Sequence, residues 1–232
     1  MDIEEYSQSS RHFYDSTIPP VLERFLKSSD YRTLLDCGCG DGSLLFALKQ
    51  GNYLKDRTVY AVDLSQNRIA LIRQMDGNII ASVDNAEELR SIRDNSIDFF
   101  ISTQVIEHID DRKFIGNTAR VVRTNGIVYL TTVYKKWFGW YFYRSNRKWA
   151  LDPTHLREYR SDNELFKHID DSAFQILESR KSLLWFPVID FFMRKLDIKN
   201  IHLYRNKFAS FFRKIKVPIP GYYIWEIVLR RK

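Results

Sequence analysis

A chain of 232 residues is long enough for one α/β core with some decoration, and 44% hydrophobic content is ordinary for a globular domain. No stretch reaches the roughly 18 apolar residues of a membrane-spanning helix, and the acidic start Met1-Asp2-Ile3-Glu4-Glu5 lacks the apolar run of a secretory signal. Cys37 and Cys39 are the two cysteines, too few for a disulfide framework, and they point to a reduced, cytoplasmic setting. The net charge of +7 is uneven: residues 181–232 hold 12 Lys+Arg and 3 Asp+Glu, while the preceding 180 residues hold 24 and 26. The front of the chain is near neutral and the tail is strongly basic.

Residues 7–29 read as a helical lead-in, with Pro19-Pro20 as its start and Val21, Leu22, Phe25 and Leu26 as its apolar face. Thr33 to Leu35 reads as a buried strand. It runs into Asp36-Cys37-Gly38-Cys39-Gly40-Asp41-Gly42, and Ser43 to Leu48 then begins a helix. Glycines at every second position permit a tight turn and a close approach, and the following helix offers free N–H groups to a ligand. The dinucleotide fingerprint G-x-G-x-x-G is broken, because Ser43 stands at its third glycine. Thr58 to Asp63 is a second strand ending in an acid. About twenty residues past a glycine turn, such an acid reaches a ribose diol in doubly wound folds. Asn78 to Asp84 is a third strand with its exit, and Asp84-Asn85-Ala86 is expected to open a helix through Leu89. Ser96 to Ser102 is a fourth strand. Residues 111–123 form an amphipathic helix, Asn125-Gly126 a turn, and Ile127 to Val133 a fifth strand. Alternating strands and helices predict a parallel sheet with right-handed crossovers.

Taken together and in this order, the glycine turn and the segments after it resemble class I S-adenosylmethionine (SAM)-dependent methyltransferases, of the kind associated with polysaccharide gene clusters. The D-x-G-x-G-x-G turn of residues 36–42 and the Val105-Ile106-Glu107-His108 segment after strand four carry the likeness, over about residues 30–133. The resemblance implies an α/β, Rossmann-like, seven-stranded, mostly parallel sheet flanked by helices. It implies SAM as cofactor and S-adenosylhomocysteine as product. It also implies a cofactor site built from Asp36, Gly38, Cys39, Gly40, Asp63, Leu64, Asp84, Asn85, Ala86, Thr103 and Gln104, with Tyr14 folded over it from the lead-in. In the family, the residue matching Asp84 accepts from the adenine amino group.

Residues 134–160 break the strand-helix rhythm and interleave Tyr134, Trp137, Phe138, Trp140, Tyr141, Phe142, Tyr143, Trp149 and Tyr159 with lysines and arginines. They are expected to form an aromatic lid over the sheet's C-terminal edge, where open α/β sheets bind ligands. Asp152-Pro153-Thr154-His155-Leu156-Arg157-Glu158-Tyr159 closes the insertion and looks like a family segment in which a histidine faces the methyl group. Ser161 to Glu164 reads as a capping box. A sixth strand spans roughly Phe174 to Leu184. Phe186 to Ile198 and Leu203 to Ile215 suggest two helices, and Tyr222 to Leu229 a last strand inserted antiparallel at the sheet edge. The organisation is one domain over 1–232: core 30–133, lid 134–160, and C-terminal edge with basic helices 161–232.

Methyl transfer needs alignment and a route for the acceptor's proton. His108 and His155 are the candidate bases, with Glu107 beside them. Small-RNA 2′-O-methyltransferases carry E-x-x-E-H and a later histidine around a divalent cation. Here Gln104 replaces the first carboxylate, which weakens a hard-cation site, so no metal is expected. An Asp/Asn-Pro-Pro-Tyr/Phe motif after strand four, as in exocyclic-amine nucleic-acid methyltransferases, is absent. So is a cysteine for carbon-5 chemistry. The expected activity is O-directed methylation of a saccharide, lipid-linked glycan or related small metabolite. RNA methylation is the alternative, motivated by the basic aromatic surface. A nicotinamide oxidoreductase is disfavoured by Ser43, and a non-catalytic scaffold by the intact cofactor positions. The basic tail suggests a peripheral membrane or anionic-carrier contact.

Overall fold

The computed structural model describes residues 17–141, 143–145, 148–170, 173–187 and 215–232. The elements are α1 (Pro20–Ser28), β1 (Thr33–Cys37), α2 (Ser43–Gln50), β2 (Thr58–Asp63), α3 (Gln66–Met75), β3 (Ile80–Val83), β4 (Ile97–Thr103), a 3₁₀ turn (Ile106–His108), α4 (Asp111–Val121), β5 (Val122–Lys135), β6 (Tyr143–Ser145), β7 (Lys148–Ala150), α5 (Asp162–Asp170), β8 (Phe174–Pro187) and β9 (Lys216–Arg231). Seven strands form one sheet in the order β3-β2-β1-β4-β5-β9-β8, and β6 and β7 form a separate small hairpin. β1 to β5 run parallel, and β9 is antiparallel to both neighbours.

Side-chain alternation along the strands divides the core between the two sheet faces. Leu34, Phe99, Ile101 and Tyr129 meet Val21 and Leu22 of α1, Leu45 and Leu48 of α2, and Ile69 and Ile72 of α3. Leu35, Phe100, Val128 and Leu130 face the other way, onto Phe114 and Ile115 of α4 and Leu165 and Ile169 of α5. The central strand β4 is buried along nearly its whole length, as a strand covered on both faces must be. Strand order reverses between β1 and β4, which opens a crevice at their C-terminal ends.

Four details differ from the sequence reading. The segment after β3 is a run of turns, not a helix through Leu89. Asp84 folds back there to accept from the Ser91 N–H (2.7 Å) and hydroxyl (2.6 Å), and Leu89 adopts φ 49°, which a helix does not allow. The last strand begins at Lys216 and lies between β5 and β8, inside the sheet. Its buried stretch of Trp225 to Leu229 needs a neighbour on each side. Phe186 and Pro187 extend β8 by pairing with Val217 and Lys216 and do not start a helix. The two expected basic helices otherwise lie outside the described residues, as does Tyr14. At α5 the Glu164 carboxylate accepts from the Arg160 N–H (3.1 Å), not from that of Ser161 as a capping box would have it.

The insertion is held to the sheet by backbone contact at two glycines. Gly221 has φ 72°, and a Cβ there would stand 2.6 Å from the Gly139 Cα. Lys136 N–H donates to the Gly221 carbonyl at 2.8 Å. Gly221→Ala is therefore expected to lose about 1–3 kcal/mol in urea unfolding. By contrast, Gly116 lies inside α4 with nothing within 4 Å of its added Cβ. Gly116→Ala should gain about 0.5–1 kcal/mol in the same measurement.

Candidate active site

The crevice is floored by two carboxylates in opposite conditions. Asp63, at the end of β2, accepts from the Gly40 N–H (3.0 Å) and the Ser65 N–H (2.9 Å), with the Arg68 guanidinium 3.6 Å away. Asp36, at the end of β1, is buried, and neither of its carboxylate oxygens has a hydrogen-bond partner. Burial, reinforced by the negative charge of Asp63, pushes the Asp36 carboxyl up to about 7.

The glycines of the turn have different reasons to be glycine. All three adopt positive φ. A Cβ on Gly38 would strike Val105 Cγ2 at 2.3 Å, and one on Gly42 would strike Ile72 Cδ1 at 2.5 Å. A Cβ on Gly40 would meet nothing within 4 Å. Packing explains Gly38 and Gly42. Gly40 leaves its face of the turn open. The Gly38 and Cys39 N–H groups both donate to the Val62 carbonyl (2.8 and 3.0 Å), and the Cys39 side chain packs into the core.

The other expected cofactor residues ring the same crevice at the ends of β2, β3 and β4. Leu64 is exposed. The Asn85 side-chain oxygen accepts from the Glu87 N–H (2.9 Å), and Ala86 is buried. Asp84 spends both oxygens within its own loop, on Asn85 and Ser91. Thr103 ends β4, and Gln104 follows with φ 56°, its amide donating to the Thr131 hydroxyl at 3.2 Å. A non-glycine residue in the left-handed region marks a site where the surroundings over-determine the backbone.

Beyond β4 the 3₁₀ turn carries Glu107 and His108, and the segment 152–159 brings His155 to them. Leu156 N–H donates to the Glu107 carbonyl at 2.9 Å, and the Arg157 guanidinium reaches the carbonyls of Ile106 and Ile109. The His108 and His155 rings meet edge to face at 4.7 Å between centroids. Glu107 is fully buried; its Oε2 accepts from the Thr132 hydroxyl (3.0 Å), and its Oε1 has no partner. Burial pushes the Glu107 carboxyl up to about 7 and, with the neighbouring His155, pushes the His108 imidazole down to about 4.

Sequence reasoning passed over the groups that hold these histidines. Thr154 Oγ1 lies 3.1 Å from His108 Nδ1 and donates to Asp152 Oδ1 at 2.6 Å. Glu158 Oε1 lies 3.3 Å from His155 Nδ1 and accepts from the Leu151 N–H at 2.6 Å. Its Oε2 accepts from Lys135 Nζ (3.0 Å) and the Tyr222 hydroxyl (3.1 Å). Burial pushes Glu158 up, but the hydrogen bonds from His155, Leu151 and Lys135 outweigh it and hold the carboxyl below its ordinary value. The signal lay in the spacing of His155 and Glu158, three residues apart. The aromatics of the insertion divide: Tyr134, Tyr141 and Tyr159 are buried, while Trp137, Phe138, Trp140 and Trp149 are exposed.

A doubly wound sheet of this order, with a glycine turn after β1 and an acid after β2, is the architecture that the resemblance to class I SAM-dependent methyltransferases implies. Residues 35–130 match the model of the methyltransferase domain family. Among curated proteins, the chain is 29% identical over 158 residues to a "Probable S-adenosylmethionine-dependent methyltransferase" of Mycobacterium tuberculosis, covering 66% of this chain and 53% of the relative. The chain thus spans about half the length of the first curated relatives it matches. It is 25% identical over 181 residues to a ubiquinone biosynthesis O-methyltransferase of Bartonella tribocorum, covering 73% of this chain and 70% of that one. Among solved structures, a SAM-dependent methyltransferase from Methanosarcina mazei superposes with a TM-score of 0.63 at 16% identity, over 92% of this chain and 98% of that one.

Two measurements follow from the buried carboxylates. Unfolded, Asp36 loses its proton near pH 4; folded, it holds it to about pH 7. The folded state binds the extra proton, so Asp36 lowers stability as pH rises through that window. Asp36→Asn should gain stability relative to the native chain from pH 4 to 7, by about 4 kcal/mol in all, with no further change above. Urea midpoints taken at several pH values would read this difference. Glu158→Leu leaves the Lys135 ammonium buried without its carboxylate and should lose about 3–5 kcal/mol.

Proposed function

We propose that the chain transfers a methyl group from SAM to an oxygen atom of a small acceptor of the saccharide, lipid-linked glycan or related metabolite class. The observation that carries this reading is the pairing of two features at the switch point: an open, ligand-ready turn at Gly40 with the unpartnered Asp36 beneath it, and a histidine pair beside it at the end of β4. The residues present fit the cofactor. Gly40 leaves room for a ligand to lie on the backbone, Asp63 keeps lone pairs for ribose hydroxyls, and Asp36 has two oxygens to offer to donors. Leu64, Asn85, Ala86, Thr103 and Gln104 line the remaining wall in this reading. Asp84 contributes its position, because its carboxylate already closes the loop to Ser91. The bound cofactor supplies an electrophilic methyl carbon on a positively charged sulfur.

His108 and His155 are the proposed bases. The low tendency of His108 to charge keeps it neutral at pH 7, with a nitrogen lone pair available for a proton. Glu107 holds this corner in place through Thr132. The O-directed part of the reading draws support from the ubiquinone biosynthesis O-methyltransferases among the relatives. The exposed tryptophans of 134–160 are the proposed wall against which an acceptor's apolar face packs. No helix among the described residues is long and apolar enough to cross a membrane. A cytoplasmic enzyme touching an anionic carrier through its basic tail is the placement we propose.

Asp63→Ala should weaken S-adenosylhomocysteine binding by calorimetry by about 1–3 kcal/mol, the cost of leaving hydrogen-bonding groups unpaired. His155→Ala should leave that affinity within a factor of about two and lower turnover by about 10²–10⁴-fold. Radiolabelled SAM supplied to a fractionated lysate tests the acceptor class. Label in the lipid-plus-saccharide or small-metabolite fraction supports the reading, and label in nucleic acid overturns it.

A further inference from the structure

We propose that Glu107, His108 and His155 form a binding site for a divalent late first-row transition ion, of the Zn²⁺, Co²⁺ or Ni²⁺ kind. One donor atom from each residue lies within 4.8 Å of those of the other two. Ligands about 2.0–2.2 Å from a common ion stand about 3–3.5 Å apart, so small side-chain rotations close the set. Proximity alone is a weak argument, and two further observations carry it.

The first is the unpartnered Glu107 Oε1. Leaving a buried carboxylate oxygen without a partner is costly. A bound cation would supply that partner.

The second is the hydrogen bonding behind the two imidazoles. Thr154 gives its one hydroxyl proton to Asp152 Oδ1 (2.6 Å), so its oxygen accepts from His108 Nδ1–H at 3.1 Å. Glu158 Oε1, 3.3 Å from His155 Nδ1, accepts from that nitrogen in the same way. Both rings therefore carry their proton on Nδ1 and leave the Nε2 lone pair to a ligand. Metal-binding histidines are held in this manner, with the second nitrogen donating to a carboxylate or another oxygen acceptor.

The donor set selects the ion. One carboxylate and two imidazoles suit Zn²⁺, Co²⁺ and Ni²⁺, whereas Mg²⁺ and Ca²⁺ need oxygen-rich surroundings that Gln104 does not help to supply. Three protein ligands leave further positions open for an oxygen of the acceptor. This last role rests on the methyltransferase reading and uses the two imidazoles as ligands in place of free bases; the ion site itself does not rest on that reading.

Co²⁺ is the probe. The full chain, free of any affinity tag, is titrated with CoCl₂ and followed by visible absorption. One equivalent should bind, with ligand-field bands that Zn²⁺ abolishes. Glu107→Gln and His155→Gln should each weaken Co²⁺ at least tenfold, with far-ultraviolet circular dichroism as the check on folding. Thr154→Val leaves all three ligands in place and removes only the acceptor that fixes the His108 tautomer, and it should weaken Co²⁺ about tenfold. It serves if the ligand variants fail to fold. The proposal is overturned if the native chain develops no such bands, if His155→Gln or Thr154→Val binds Co²⁺ as the native chain does, or if Mg²⁺ competes on equal terms. Calorimetry with S-adenosylhomocysteine alone is run beside it. Its failure would count against the methyltransferase reading and leave the Co²⁺ result standing.

Discussion

The Glu158 carboxylate is the point on which the second half of the molecule depends. Its four partners come from three places: Lys135 at the end of β5, Tyr222 on β9, and the Leu151 backbone and His155 in the insertion. Lys135 and Glu158 are both nearly excluded from water. A buried pair of this kind is tolerated only with its remaining hydrogen-bonding capacity filled, and here it is. The pair fixes how the insertion returns to the sheet, and that return sets where His155 stands. The parallel bridge of Tyr134 to Tyr159 and the packing of both rings on Trp225 finish the same junction.

Around the crevice the acids fall into two groups. Asp84 and Glu158 are spent on the protein itself. At the opposite end of the sheet, Asp98 near the start of β4 is spent in the same way, accepting from the backbone of Arg32 and Thr33 while pairing with Arg123. Asp36 is wholly unspent, and Glu107 is half spent. Among the described residues, the buried carboxylate oxygens without a partner are both of Asp36 and one of Glu107, and in the proposed function they are the ones free to meet a bound molecule. Those oxygens sit where the reversal of strand order opens the sheet.

The insertion illustrates a limit of composition. Nine aromatics in 27 residues suggest a lid, yet the structure buries Tyr134, Tyr141 and Tyr159 in the core or against β9 and exposes Trp137, Phe138, Trp140 and Trp149. Aromatic content is the same for a ring that fills a core and a ring that faces a ligand. Gly139 and Gly221, which touch backbone to backbone, give the loop its attachment.

Local pattern alone determined the first half of the sheet. Thr33–Leu35, Thr58–Asp63 and Ser96–Ser102 are apolar runs bounded by turn residues. A covered parallel strand has to read that way, because both of its faces are buried. The glycine turn and Asp63 were legible for a related reason: positive φ, close approach and a strand-end acid are demands that neighbouring residues make of each other. The turn after β3, the interior place of β9 and the strand end at Phe186-Pro187 were not legible. Asp84 chose Ser91 over a helix, and β9 chose its neighbours by pairing across about a hundred residues. The histidine cluster was half legible. Glu107-His108 stands in a recognisable segment, but its meeting with His155 and the anchoring of both rings depend on Glu158, Lys135, Tyr222 and Thr154. Residues so far apart in sequence are brought within hydrogen-bonding distance only once the sheet has closed, so tertiary structure alone decided that part of the site.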